Sequence, residues 1–80
     1  MKELRMVRVE WVDSAGLNKW QTRQACLDDG SVVVCVSIGF LLRSNRIEVT
    51  LVQSLADELG NVNGSFSIPR GCIKSIKRLT

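Results

Sequence analysis

Two-residue alternation first appears in "VRVEWV", which sets Val7, Val9 and Trp11 on one side and Arg8 and Glu10 on the other. That is the pattern of a half-buried strand. The run "SVVVCVSIGFLLR" is different. Val32, Val34, Val36, Ile38, Phe40 and Leu42 make one continuous face, and Val33, Cys35 and Leu41 leave the opposite face apolar as well. A strand apolar on both faces is central, strongly bent or pressed against a second subunit. Gly39 marks the expected bend. "RSNR" then offers a tight turn at Ser44 and Asn45, and "RIEVTLVQ" resumes alternation with Ile47, Val49 and Leu51 inward and Glu48 and Thr50 outward. The two segments together predict a long hairpin.

Between the first and second strands lies "DSAGLNKWQTRQACLDDG", which is too long for a tight turn and does not alternate. Asn18 with Gln21 three residues later is a capping arrangement, Leu17, Trp20 and Leu27 would dock on the sheet, and Gly30 would end a helix. An ordered loop over residues 18–28 pinned by Trp20 satisfies the same pattern. "SLADELGNVNG" reads either as one helical turn capped by Ser54 and stopped at Gly60, or as an irregular hairpin loop. "SFSIP" predicts a short strand with Phe66 and Ile68 inward, ended by Pro69, which lacks a ladder donor. Beyond it Ile73, Ile76 and Leu79 are spaced by three. A 3₁₀ turn through Arg70 to Cys72 followed by a strand accounts for that shift of phase.

The ending "IPRGCIKSI" resembles the apolar-Pro-x-x-aromatic-Val ending of Src-homology-3 domains, with Cys72 at the aromatic position. The resemblance implies their barrel; the aromatics of their peptide groove have no counterparts. Ile68, Arg70 and Gly71 also resemble the second motif of the Sm-like RNA-binding family, with Pro69 inserted. The order of elements, five strands with a long bent central hairpin, is similar to both. Over nearly the whole chain, "VEWVDS", "VSIGFLL", "VTLVQSL" and "IPRGCIKSIKRL" resemble a group of small bacteriophage proteins, which implies a phage or prophage origin and a setting in the host cytoplasm. The expected fold is therefore mainly β, one domain over residues 1–80. It is a small, bent, five-stranded antiparallel barrel with a short helix or long loop after the first strand. Val7, Val9, Trp11, Val34, Val36, Ile38, Val49, Leu51, Phe66, Ile68, Ile73 and Ile76 form the expected core, so aspartate at Val36 or Leu51 is expected to abolish folding.

Composition bears first on stability. A chain of 80 residues buries only roughly 60% of the surface its unfolded form exposes, so its core is marginal. Cys26, Cys35 and Cys72 are odd in number and scattered, and no secretory signal precedes them, which favours small apolar packing roles over disulfides. Self-association is the expected supplement, through the second apolar face of residues 33–41 and through edge-strand pairing. The apolar run from Val32 to Leu42 falls short of the roughly 20 residues needed to cross a bilayer, so no membrane partner is expected.

Most chemistries lack their residues. Histidine is absent, which removes the usual base for a serine or cysteine nucleophile and leaves three dispersed thiols short of a zinc site. The adjacent pairs Asp28-Asp29 and Asp57-Glu58 are expected in turns and solvated, and "GNVNG" reads as turn chemistry rather than a phosphate cradle. No enzyme and no cofactor are expected. The net charge of +3 is mild, but Arg70, Lys74, Lys77 and Arg78 close the chain with no acid among them. Lys77 and Arg78 point to opposite faces of a strand. Arg70 and Lys74, joined by Arg43 and Arg46 from the hairpin, would form a basic rim that gains strength if copies assemble. Trp20 is a possible stacking platform and Trp11 a core residue. The expected partners are further copies of the chain with RNA or single-stranded DNA. Alternatives are capture of a host protein or signalling nucleotide as a phage counter-defence, or a structural or assembly role in the virion.

Overall fold

The computed structural model describes residues 3–14, 19–29, 32–56 and 60–80. The elements in chain order are β1 (Met6–Asp13), α1 (Arg23–Asp29), β2 (Val33–Ser44), β3 (Glu48–Val52), β4 (Ser54–Ala56), β5 (Asn61–Asn63), β6 (Phe66–Pro69), a 3₁₀ turn (Arg70–Cys72) and β7 (Ile73–Arg78). Five strands form one antiparallel sheet in the order β6-β3-β2-β1-β7, and β4 pairs with β5 as a separate short hairpin. The mainly β class and the phase-shifting 3₁₀ turn agree with the pattern of the sequence.

Closure does not. The edge strands β6 and β7 are joined through the 3₁₀ turn but do not pair with each other, so the sheet stays open. β6 is only four residues long and ends on Pro69, which has no N–H to give. The openness has a direct consequence. Phe66 and Ile76 belong to the inner face, opposite Leu51 and Val9, yet each remains more than a third exposed. The ring of Phe66 leans instead on Trp11, with centroids 5.4 Å apart.

The core is built by Val7 and Val9 of β1, Val49 and Leu51 of β3 and Ile68 of β6, with Trp11, Leu41, Cys72 and Ile73 packed against it. Each such side chain removed from water contributes about 1.5–3 kcal/mol. β3 is buried on its other face too: Val52 is fully covered, and Thr50, expected outward, is buried with its hydroxyl 2.8 Å from that of Ser67.

β2 presents the opposite face from the one expected. Val34, Val36 and Ile38 are 53%, 50% and 49% exposed, while Ser37, Gly39 and Leu41 turn inward. The cause is the register with β1, which sets Ser37 against Val9 and Gly39 against Val7. Since the side of β1 that carries Val7, Val9 and Trp11 faces the core while Arg8 and Glu10 occupy the other, its partner must present the matching side, and that side has to be small. A Cβ on Gly39 would lie 3.1 Å from both the Leu51 Cβ and the Val52 carbonyl oxygen. Ser37 also accepts the indole N–H of Trp11 at 3.0 Å. At Leu42 a bulge changes the phase again, because Leu41 faces Leu51 but Arg43 faces Thr50. This leaves Leu42 exposed.

The connections differ from expectation in detail. The hairpin turn centres on Asn45, whose side-chain oxygen accepts the N–H groups of Ile47 and Glu48 at 2.8 and 2.9 Å. This Asx turn turns Ile47 outward, where it is exposed. The helix starts at Arg23 and is capped by Thr22, which accepts the Ala25 N–H at 3.1 Å. The anticipated cap Asn18, with Leu17 and the stop Gly30, lies outside the described residues. Trp20 and Leu27 do not dock on the sheet; the indole is fully exposed and Leu27 is 75% exposed. Asp28 and Asp29 fall in the helix rather than a turn, and Asp57 and Glu58 lie outside the described residues. The segment from Ser54 forms β4 and β5 rather than a helical turn, with Gly60 and Gly64 at positive φ. Among the described residues, the helix makes at most glancing contact with the strands. The radius of gyration is accordingly 16.6 Å, against roughly 12 Å for a compact chain of this length.

Candidate anion-binding surface

Of the six cations singled out in the sequence, the four expected on one rim, Arg43, Arg46, Arg70 and Lys74, do not all sit together. They divide between two places. Arg43, Arg46 and Arg70 gather at the β2–β3 hairpin tip. There Arg70 donates from Nε to the Asn45 carbonyl at 3.0 Å and from Nη2 to the Ser44 hydroxyl at 2.7 Å, while its own N–H bonds the Ile47 carbonyl. Arg70 thus ties the 3₁₀ turn to the hairpin and is a structural residue. Arg43 reaches the Glu48 carboxylate at 3.0 Å. Arg46 stands exposed on the turn.

Lys74, Lys77 and Arg78 follow β7 to its pairing with β1. A register shift between Glu10 and Trp11 makes Lys74 the extra residue of a bulge, and its ammonium lies 3.6 Å from the Glu10 carboxylate. Lys77 stands directly opposite Arg8, and Arg8 lies 3.8 Å from the other oxygen of Glu10. The outer face of β1 and β7 therefore holds Arg8 and Lys74 around the Glu10 carboxylate, with Lys77 beside Arg8. Across the sheet, Ile38, Arg8 and Lys77 form one row, and Val36, Glu10 and Ser75 the next. An apolar strip on β2 runs beside a basic strip on β1 and β7.

Arg78 faces the other way, opposite Val7, and its Nε donates to the Thr80 carbonyl. With Arg5, Glu3, Leu4 and Thr80 it lines a hollow of about 240 Å³. Arg5 also borders a second hollow of about 400 Å³ shared with Glu3 and Arg43. Its position is fixed by backbone bonds: Leu41 donates to the Arg5 carbonyl, and the Leu79 N–H to that of Met6, both at 2.8 Å.

Arg5 and Arg8 were not among the sequence candidates. Arg8 was legible as an outward residue of an alternating strand; its partner was not, because it lies 69 positions away on β7. Trp20 borders an open hollow with Lys19, Arg23, Cys26 and Leu27, whose lining includes no residue of β1 or β7. The cysteines are not buried: Cys26 is exposed, Cys35 and Cys72 are half-buried, and all three are free. Among the described residues, no helix is long and apolar enough to cross a membrane. No family model, curated protein or solved structure matches the chain.

Proposed function

We propose that this chain is a non-enzymatic binding module, of the phage type its sequence resembles, that engages the phosphate backbone of RNA or single-stranded DNA in the cytoplasm. The observation that carries this reading is the outer face of β1 and β7, where Arg8 and Lys77 are cross-strand neighbours and Arg8 shares the Glu10 carboxylate with Lys74. Like charges directly opposite on a sheet are destabilising by themselves. A phosphate bridging them would offset that repulsion, and cations two strands wide track a backbone without reading its sequence. The absence of histidine supports binding over acid-base chemistry near neutral pH.

The test is a salt titration of a mixed-sequence, fluorescein-labelled RNA followed by anisotropy. Affinity should fall steeply with salt, and Arg8→Ala or Lys77→Ala should each lower the slope of log K against log salt by about 0.7. Arg46→Ala should leave the slope unchanged. An equal loss for Arg46→Ala would move the site to the hairpin tip. Salt-insensitive capture of a mononucleotide would favour the counter-defence reading, and silence toward both ligands would remove the proposal.

A further inference from the structure

Among the described residues, the first half of β2 has a neighbouring strand on only one side. Residues 33–40 pair with β1, but β3 pairs only from Phe40 onward, and the chain leaves the sheet at Gln53 to form the separate β4–β5 hairpin. Among the described residues, no strand covers the other edge of residues 33–38.

The direction of the backbone groups on that edge follows from two hydrogen bonds. Leu41 donates its N–H to the Arg5 carbonyl, on the β1 side, at 2.8 Å. The Ile38 carbonyl accepts Nε2 of Gln53, on the β3 side, at 3.3 Å. The N–H and C=O of one strand residue point the same way, and successive residues alternate. Val33, Cys35 and Ser37 therefore bond β1, and Val34, Val36 and Ile38 aim theirs at the open edge. The side chains of these same three residues are about half exposed on the outer face.

Protein edges of this kind are usually guarded by a charge, a proline or a bulge. None occurs between Val32 and Phe40. We propose that residues 34–38 of β2 pair antiparallel with the same residues of a second copy, about a two-fold axis that passes between the two Val36 residues. The self-pairing stands independently of nucleic-acid binding.

The case for a second copy as occupant is self-complementarity. In this register Val36 meets Val36 of the other copy, and Val34 meets Ile38 in both directions. Every cross-strand pair on the outer face is thus β-branched on β-branched, the combination sheets favour. Each of those positions is also one whose N–H and C=O face the edge, so the ladder closes without a slip. The Ile38 carbonyl keeps a second lone pair for the new donor while Gln53 holds the first. No charge on the segment opposes the approach of an identical, net-positive chain. The product is a continuous six-stranded sheet, β7-β1-β2 joined to its symmetry mate. Because the axis is perpendicular to the sheet, the Arg8 and Lys77 pairs of both copies come to the same face on either side of the shared apolar strip.

Sedimentation equilibrium of the purified chain at micromolar concentration should give twice the monomer mass. Val36→Lys, which sets two ammonium groups against each other on the axis, should return a folded monomer, and Ile47→Lys at the exposed hairpin tip should stay dimeric. The register has its own readout. In a chain carrying Cys26→Ser, Cys35→Ser and Cys72→Ala, the further change Val36→Cys should form an intermolecular disulfide on mild oxidation, since directly opposed residues lie about 5.5 Å apart, within disulfide reach. Monomeric wild-type protein would overturn the proposal. So would a dimer that survives Val36→Lys, or one in which the Val36→Cys thiols do not join.

Discussion

β3 and the first half of β2 are both rich in valine, β2 the more apolar of the two, and their fates are opposite. Of the five residues of β3 (Glu48–Val52), the four after Glu48 are buried. In β2 the residues from Val33 to Ile38 are exposed or half-buried, with none fully covered. Hydrophobicity does not separate them; neighbours do. β3 lies between β2 and β6 and meets Val7 and Val9 across the core, whereas, among the described residues, the start of β2 has β1 on one side and an open edge on the other. Strand burial here is a property of position in the sheet, to which an apolar sequence only gives permission.

The contrast is most open to attack at its extremes. Leu51→Asp should leave no cooperative thermal transition by circular dichroism, because an unpaired buried carboxylate costs several kcal/mol in a domain with about 5 to spare. Val36→Asp, which the sequence pattern alone marks as equally damaging, should fold, since its side chain is half in water, and should be monomeric. If both variants unfold, the inward face of β2 has been misassigned. A gentler version uses truncation. Ile68→Ala in the partner strand of β3 should lower stability by about 2–5 kcal/mol in urea melts. Ile38→Ala, measured on dilute monomeric protein, should stay within about 0.5 kcal/mol of the parent. An intermediate effect is expected where the two regions touch. Gly39→Ala puts a methyl 3.1 Å from Leu51 and from the Val52 carbonyl, and such overpacking costs about 1–3 kcal/mol. A neutral result would mean that β2 and β3 separate there at no cost.

How far the sequence could be read depended on how many partners each signal needs. The inward set Val7, Val9, Val49, Leu51 and Ile68 follows from alternation, because in those strands only one reading puts the apolar side on a core. The 3₁₀ turn after Pro69 was legible for a similar reason, as the spacing of Ile73 and Ile76 requires a change of phase. Arg70 and Arg78 were visible as charges, but their bonds to the hairpin tip and to the Thr80 carbonyl were not. Arg8 is not marked as a site residue by the sequence alone, because its charge gains meaning only beside Lys77.

The sequence by itself determined the β class, the positions of most strands, the turn residues and the basic character of the chain's end, since these rest on local periodicity and local backbone chemistry. Tertiary structure alone decided which side of β2 faces the core, that the sheet stays open between β6 and β7, and which cations become neighbours. The physical reason is symmetry in the local signal. A strand apolar on both faces satisfies its own periodicity either way up. The choice falls to the strand it pairs with and to the space left by Leu51 and Trp11, which only Gly39 and Ser37 are small enough to fit.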